Sequence, residues 1–168
     1  KRRAEHGGLT GLLTRNALVR RLKPVLAGER AFLLGIMDID DFKGINDTFG
    51  HSAGDVVLRR MGAVLQEQLG DADMASRIGG GEVVFVIRGT VGKEFAESLL
   101  PRICAAFVTY EDVPCPISVS IGFAAFPNDG AEFEVLYKEA DKALYHVKRQ
   151  GKRQCAFYGE LPEPCPAP

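Results

Sequence analysis

The stretch Ala31–Lys43, AFLLGIMDIDDFK, decides how this chain is read. Its first seven residues, Ala31–Met37, form a short apolar run bounded by charge. That is the pattern of a strand covered on both faces, and the strand is expected to end at Asp38. The second half is rich in carboxylates: Asp38, Asp40 and Asp41, then Phe42 and Lys43. Carboxylates at i and i+2 of an extended segment project to the same side, so Asp38 and Asp40 can share one hard cation with a backbone carbonyl, and magnesium held there would meet a substrate phosphate. The same residues also read as charges that solvate a strand end.

On either side of this stretch the pattern alternates between helix and strand. Thr14 can cap a helix running to about Ala27, with Pro24 expected to kink or shorten it. From Ala53 to Leu69 the apolar residues Val57, Leu58, Met61, Val64, Leu65 and Leu69 follow helical spacing, and Ser52 with Asp55 has the spacing of a capping box. Ala75–Ile78 and Glu82–Arg88 flank Gly79-Gly80-Gly81 and read as a β-hairpin with an exposed tip. Helices are expected at roughly Lys93–Val108 and Glu132–Gln150, the second with Phe133, Leu136, Tyr137, Ala140, Leu144 and Val147 on one face. A strand is expected at Ile117–Phe126 and an edge strand at Gln154–Tyr158. The class is α/β (α+β): a single mixed sheet, partly antiparallel at the hairpin and covered by helices. Residues 1–158 read as one domain, and 159–168, with four prolines, as a loose tail.

Three further groups carry possible chemistry. Asn46 and Asp55 can hydrogen-bond a base edge, and a carboxylate selects the donors of guanine; Asn-Asp is also turn chemistry, and Asp55 also suits a helix N-terminus. The glycine hairpin lets a phosphate approach the main chain, with Arg77 before it as a bidentate partner and Glu82 after it, although tight turns of this composition are common. Lys148 and Lys152, four residues apart, can neutralise terminal phosphates or simply complement a helix C-terminus. His6, His51 and His146 lack the spacing of a metal site, and His51 and His146 read as structural.

Composition narrows the classes. Lys and Arg total 21 against 22 Asp and Glu, so no broad field favours nucleic acid or an anionic membrane. No apolar run approaches the roughly 18 residues of a spanning helix, and a cytoplasmic domain is expected. The four cysteines, Cys104, Cys115, Cys155 and Cys165, show no CxxC pair.

Taken in order, these segments resemble the GGDEF domain of diguanylate cyclases over residues 6–158. The resemblance rests on Leu9-Thr10-Gly11-Leu12 with Arg15, Asp38-Ile39-Asp40 through Gly54-Asp55, Ile117–Gly130, and Ala140–Tyr145 with Lys148 and Gly151. It implies a fold similar to nucleotidyl cyclase and polymerase palm domains, and condensation of two GTP into cyclic di-GMP by two domains meeting antiparallel. By that resemblance Asp38 is a metal ligand, with Asp40 as a further candidate. Asn46 and Asp55 contact guanine, Phe42 and Lys43 lie beside the nucleotide, and Lys148 and Lys152 meet phosphates. Lys43 and Glu82 are the candidate catalytic groups.

The signature loop departs from the family: it reads Gly79-Gly80-Gly81-Glu82-Val83, with glycine where the family has Asp or Glu for metal and catalysis. Gly7 and Thr14 replace the usual Asp and Asn. The product-inhibition site lacks its arginine, leaving Asp73 and Arg77 as its remnant. The expected function is a catalytically impaired, GTP-binding regulatory or interaction module using Mg2+ with the nucleotide, a possible homodimer under an upstream sensory domain or partner signalling protein. The alternatives are an active cyclase using Asp38, Asp40 and Glu82, and a ligand-free dimerisation scaffold.

Overall fold

The structure, a computed structural model, describes residues 5–28, 30–89 and 93–162. Helix α1 spans Arg15–Leu26, followed by strand β1 Phe32–Ile39, the short helix α2 Phe42–Phe49 and helix α3 His51–Gln68. Then come the hairpin β2 Met74–Gly79 and β3 Glu82–Arg88, α4 Lys93–Val108, β4 Val119–Phe126, α5 Phe133–Arg149 and β5 Cys155–Phe157. A 3-10 turn, Tyr158–Glu160, closes the described chain, with Glu160 paired to Lys93 at 2.8 Å. Part of the expected loose tail, 163–168, and Cys165 with it, lie outside the described residues.

The strands form one sheet in the order β2-β3-β1-β4-β5. Antiparallel pairing extends well beyond the hairpin, where the sequence pattern had placed it: β1 runs antiparallel to both β3 and β4, and only β4 and β5 are parallel. The alternation of a strand distributes β1 between two cores. Met37 and Ile39 face α3 and α4, with Leu58, Met61, Leu99 and Ile103. Leu34 and Ile36 face α1 and α5, with Leu18, Leu22, Leu136 and Leu144. Burial pushes the Cys104 and Cys155 thiols up, so they pack as small neutral hydrophobes.

One close approach sets the distance between layers. A Cβ on Gly122 of β4 would come within 2.2 Å of the Ala140 carbonyl oxygen and 2.3 Å of the Leu144 nitrogen, so α5 lies backbone-to-backbone on the sheet there.

Several sequence expectations are corrected. Strand β1 runs one residue past the expected end at Asp38, because its ladder continues through Asp38 opposite Glu82 and Ser120 and on through Ile39 opposite Val119. The Ser52–Asp55 capping box does not form. Helix α3 begins at His51, so Ser52 already lies inside it, and Gly50 (φ 90°) takes the cap position without a side-chain bond. Asn46-Asp47 is not a turn; it lies within α2, whose Ile45 is buried and whose Phe42 packs on the core. Pro24 neither ends nor shortens α1, since it falls in the last turn. Thr14 does cap α1, its hydroxyl accepting from the Ala17 N–H at 3.2 Å.

Candidate functional site

The site gathers where β1 gives way to α2. Asp38 lies at the end of the strand, directly across from Glu82 on one side and Ser120 on the other. Its carboxylate pairs with Lys148 Nζ of α5 at 2.5 Å, both side chains partly exposed. Asp40 is held differently: Ser118 Oγ and Ser120 Oγ each donate to one of its oxygens, at 2.7 and 2.6 Å. Ser120 Oγ also accepts from the Arg153 N–H at 3.2 Å, which ties the chain beyond α5 into the same network. Asp41 then turns the chain into α2 with φ 53°, an uncommon left-handed conformation for a residue with a side chain.

The guanine candidates meet at the corner between α2 and α3. A Cβ on Gly54 would lie 1.8 Å from Asn46 Oδ1, so the absent side chain at 54 is what lets Asn46 rest on α3 immediately beside Asp55. Asp55 is exposed, and among the described residues neither side chain holds a hydrogen bond or ion pair. Phe42 and Lys43 open α2 on the same side as Asp41, Lys43 exposed and Phe42 half-buried.

The hairpin differs from its sequence reading in one respect. Gly79 and Gly80 are exposed, Gly80 with the positive φ of 51° that such a turn requires, but Gly81 is buried. A Cβ at 81 would meet Ile39 Cβ at 3.1 Å and Phe42 Cγ at 3.1 Å. Position 81 therefore faces Ile39 and Phe42, whereas Glu82 stands across from Asp38. Glu82 accepts a hydrogen bond from Tyr137 Oη at 2.8 Å, and Val83 is fully buried. Arg77 Nε donates to the Gly80 carbonyl at 3.0 Å, bracing the turn. Asp73 accepts from the Gly70 and Arg88 N–H groups at 2.8 and 2.9 Å, which gives this remnant a structural part.

Lys152 does not share a helix face with Lys148. Helix α5 ends at Arg149, and Gly151 (φ 105°), Lys152 (φ 64°) and Arg153 (φ 56°) turn the chain away from it. Sequence reasoning passed over Ser118 and Ser120, whose i, i+2 spacing on a strand is a legible signal. It also passed over the polar part of Tyr137, which the helical pattern had assigned to the core.

The donor set among the described residues falls short of what a pair of metal ions would need. Asp38 offers a carboxylate, Asp40 is occupied by two hydroxyls, position 81 has no side chain, and no group of three or more His, Cys, Asp or Glu among the described residues could hold a metal.

The Tyr137 phenol is pushed well above its ordinary value of 10.0, first by burial and then by its bond to Glu82. A raised folded value is stability present below the unfolded value and lost as the pH climbs from there towards the folded one. Tyr137→Phe is therefore expected to flatten the loss of stability between about pH 9.5 and 12, read as urea midpoints against pH. Parallel profiles for the two proteins would count against the perturbed phenol.

A five-stranded sheet with helices on both faces and a carboxylate at the end of its central strand defines an α+β domain of the nucleotidyl cyclase kind. Residues 4–154 match the family described as Diguanylate cyclase, GGDEF domain, and the chain belongs to that family. It is 39% identical over 151 residues to Diguanylate cyclase DgcP of Pseudomonas aeruginosa, covering 86% of this chain and 22% of the relative. The coiled coil and GGDEF domain of DgcB from Caulobacter crescentus, solved in complex with c-di-GMP, superposes with a TM-score of 0.81 at 30% identity, covering 93% of this chain and 86% of that one. Diguanylate cyclase SiaD of Pseudomonas aeruginosa, solved in complex with its activator SiaC, gives 0.79 at 27% identity, covering 90% and 61%. The chain spans between a fifth and a quarter of the length of the first three curated relatives. No helix among the described residues is long and apolar enough to cross a membrane.

Proposed function

We propose that this GGDEF domain is catalytically impaired and acts in cyclic di-GMP signalling as a GTP-binding regulatory or interaction module. The observation that supports the reading is Asn46 seated on Gly54 next to Asp55, together with a signature position, Gly81, that has no side chain and is enclosed by Ile39 and Phe42. Guanine would be read by Asn46 and Asp55. Lys148 would exchange Asp38 for a phosphate, with Lys152 and Lys43 adding charge at the rim. Magnesium, when bound with the nucleotide, neutralises phosphate charge, and Asp38 is the carboxylate placed to meet it. An upstream sensory domain, a partner signalling protein or a second copy would read the bound state; SiaD, for its part, is solved in complex with its activator SiaC.

An active cyclase using Asp38, Asp40 and Glu82 draws on the position of Glu82 opposite Asp38. Against it stand the Tyr137 bond that occupies Glu82 and the two serines that occupy Asp40.

Calorimetric titration with GTP in excess magnesium, with ATP as control, tests the reading. Micromolar GTP-selective binding is expected, and Asn46→Ala and Asp55→Ala should each weaken it about tenfold or more, the loss of one or two base-edge hydrogen bonds. Absence of heat with a folded sample would move the function to a ligand-free dimerisation scaffold.

A further inference from the structure

A cavity of about 450 Å³ opens between the N-terminal turn, the start of α1 and the edge strand β2. It shares neither Asn46, Asp55 nor Lys148 with the nucleotide groove, and it does not reach the 70–73 turn. The turn that walls it is tightly bonded: Gly7 N–H donates to the Leu12 carbonyl at 2.8 Å, and Thr14 N–H to the Glu5 carbonyl at 2.7 Å. Gly7 and Gly8 present bare backbone to it, with nothing within 4 Å of a Cβ built at Gly8 and only the Leu12 carbonyl at 3.8 Å from one at Gly7.

Two arginines from distant parts of the chain, Arg15 and Arg77, line this one cavity. Each is steadied by contacts that use only part of its fork. Arg77 gives Nε to Gly80 and, among the described residues, meets no carboxylate. Arg15 gives one nitrogen to the exposed Glu134 at 2.7 Å and lays its guanidinium over the Phe133 ring at 5.4 Å. A guanidinium carries five donors in a rigid plane, so most of those on the pair remain available. The N-terminus of α1 adds a positive dipole end to the same wall, and its first turn contains no acidic residue to offset it.

Two arginines and the start of a helix line one open space, and no carboxylate among the described residues lines it, although Arg15 is paired with Glu134 beside it. We propose that this cavity binds the phosphoryl group of a small molecule, held between the forks of Arg15 and Arg77 against the bare backbone of Gly7 and Gly8. Because Arg77 also holds Gly80, the ligand would lie one residue from the tip of the signature hairpin. Phosphoryl binding here is independent of GTP binding in the groove.

The test is an amide-resolved NMR titration of the domain with inorganic phosphate, with sodium chloride matching ionic strength and acetate as the comparison anion. Saturable shifts at Gly7, Gly8 and Arg77 are expected, tighter with phosphate than with acetate. Arg77→Gln and Arg15→Gln should each weaken the response about tenfold. Gly7→Asp, which keeps both arginines and has room for its side chain, should weaken it similarly by placing a carboxylate in the cavity. Shifts confined to Lys148–Arg153, equal responses in the variants, tighter acetate binding, or no saturation by about 50 mM phosphate would each overturn the assignment.

Discussion

Gly81→Asp is expected to raise GTP turnover to cyclic di-GMP by about 100-fold or more over the unaltered domain. The reason is charge. Phosphoryl transfer with two metal ions needs carboxylates that hold the ions against both attacking and leaving oxygens. Here Glu82 and Asp40 are committed to neutral donors, and the partner of Asp38 is a lysine. An acid at 81 would add a carboxylate on the neighbouring turn, one residue before the Glu82 that stands opposite Asp38. The backbone permits it, since Gly81, unlike Gly80, has no positive φ. Space is tighter, because the new Cβ meets Ile39 Cβ and Phe42 Cγ at 3.1 Å, so Phe42 must give by a few tenths of an ångström, at a cost of about 1–3 kcal/mol. The variant should therefore be more active and less stable. Product formation by chromatography, with a melting curve on the same sample, checks both. Turnover of the unaltered domain comparable to that of the variant would reverse the functional reading and leave an active cyclase built on Glu82.

The largest loss of stability is expected at a residue remote from any ligand. Gly122→Ala places a methyl group 2.2 Å from the Ala140 carbonyl oxygen and 2.3 Å from the Leu144 nitrogen, and backbone atoms of a helix cannot rotate aside as a side chain can. Helix α5 would have to lift from β4 over several residues, opening the contacts of Leu136, Ala140 and Leu144 with the sheet. The cost should be about 3–5 kcal/mol, a large share of the roughly 5–15 kcal/mol that keeps a domain folded. Urea midpoints with an unchanged slope would measure it. Because α5 carries Lys148, GTP affinity should fall in whatever fraction stays folded. A loss below about 1 kcal/mol would mean that the helix re-seats freely and that the close approach does not set the layer spacing.

The reach of the sequence can be judged residue by residue. Strand β1, helix α3 and the hairpin were legible because each repeats one period over several residues: the continuous run Phe32–Met37, the helical spacing from Val57 to Leu65, and two β-rich runs around three glycines. Helix α2 was not, because Asn46, Asp47, Thr48 and Gly50 have turn propensities, and what makes the segment helical is tertiary: Ile45 and Phe42 reach the core only from a helix. The end of α5 was legible, since Gly151 just beyond the last basic residues is a helix stop, and the expected end at Gln150 lies one residue past the observed Arg149. Of the site, Asp38, Asn46, Asp55 and Lys148 could be named from motif order. Their partners could not, because Lys148 on Asp38, the two serines on Asp40 and Tyr137 on Glu82 join residues 55 to 110 positions apart. No local pattern encodes such pairs.

The enclosure of Gly81 by Phe42 and Ile39 also bears on descent. A glycine on an open turn can revert to an acid by a single substitution at little structural cost. With Ile39 and Phe42 closed over it, the same change carries a stability cost, and any later change that tightens those neighbours raises that cost. Packing around a bare position thus sets a threshold in stability that any acid introduced there has to clear.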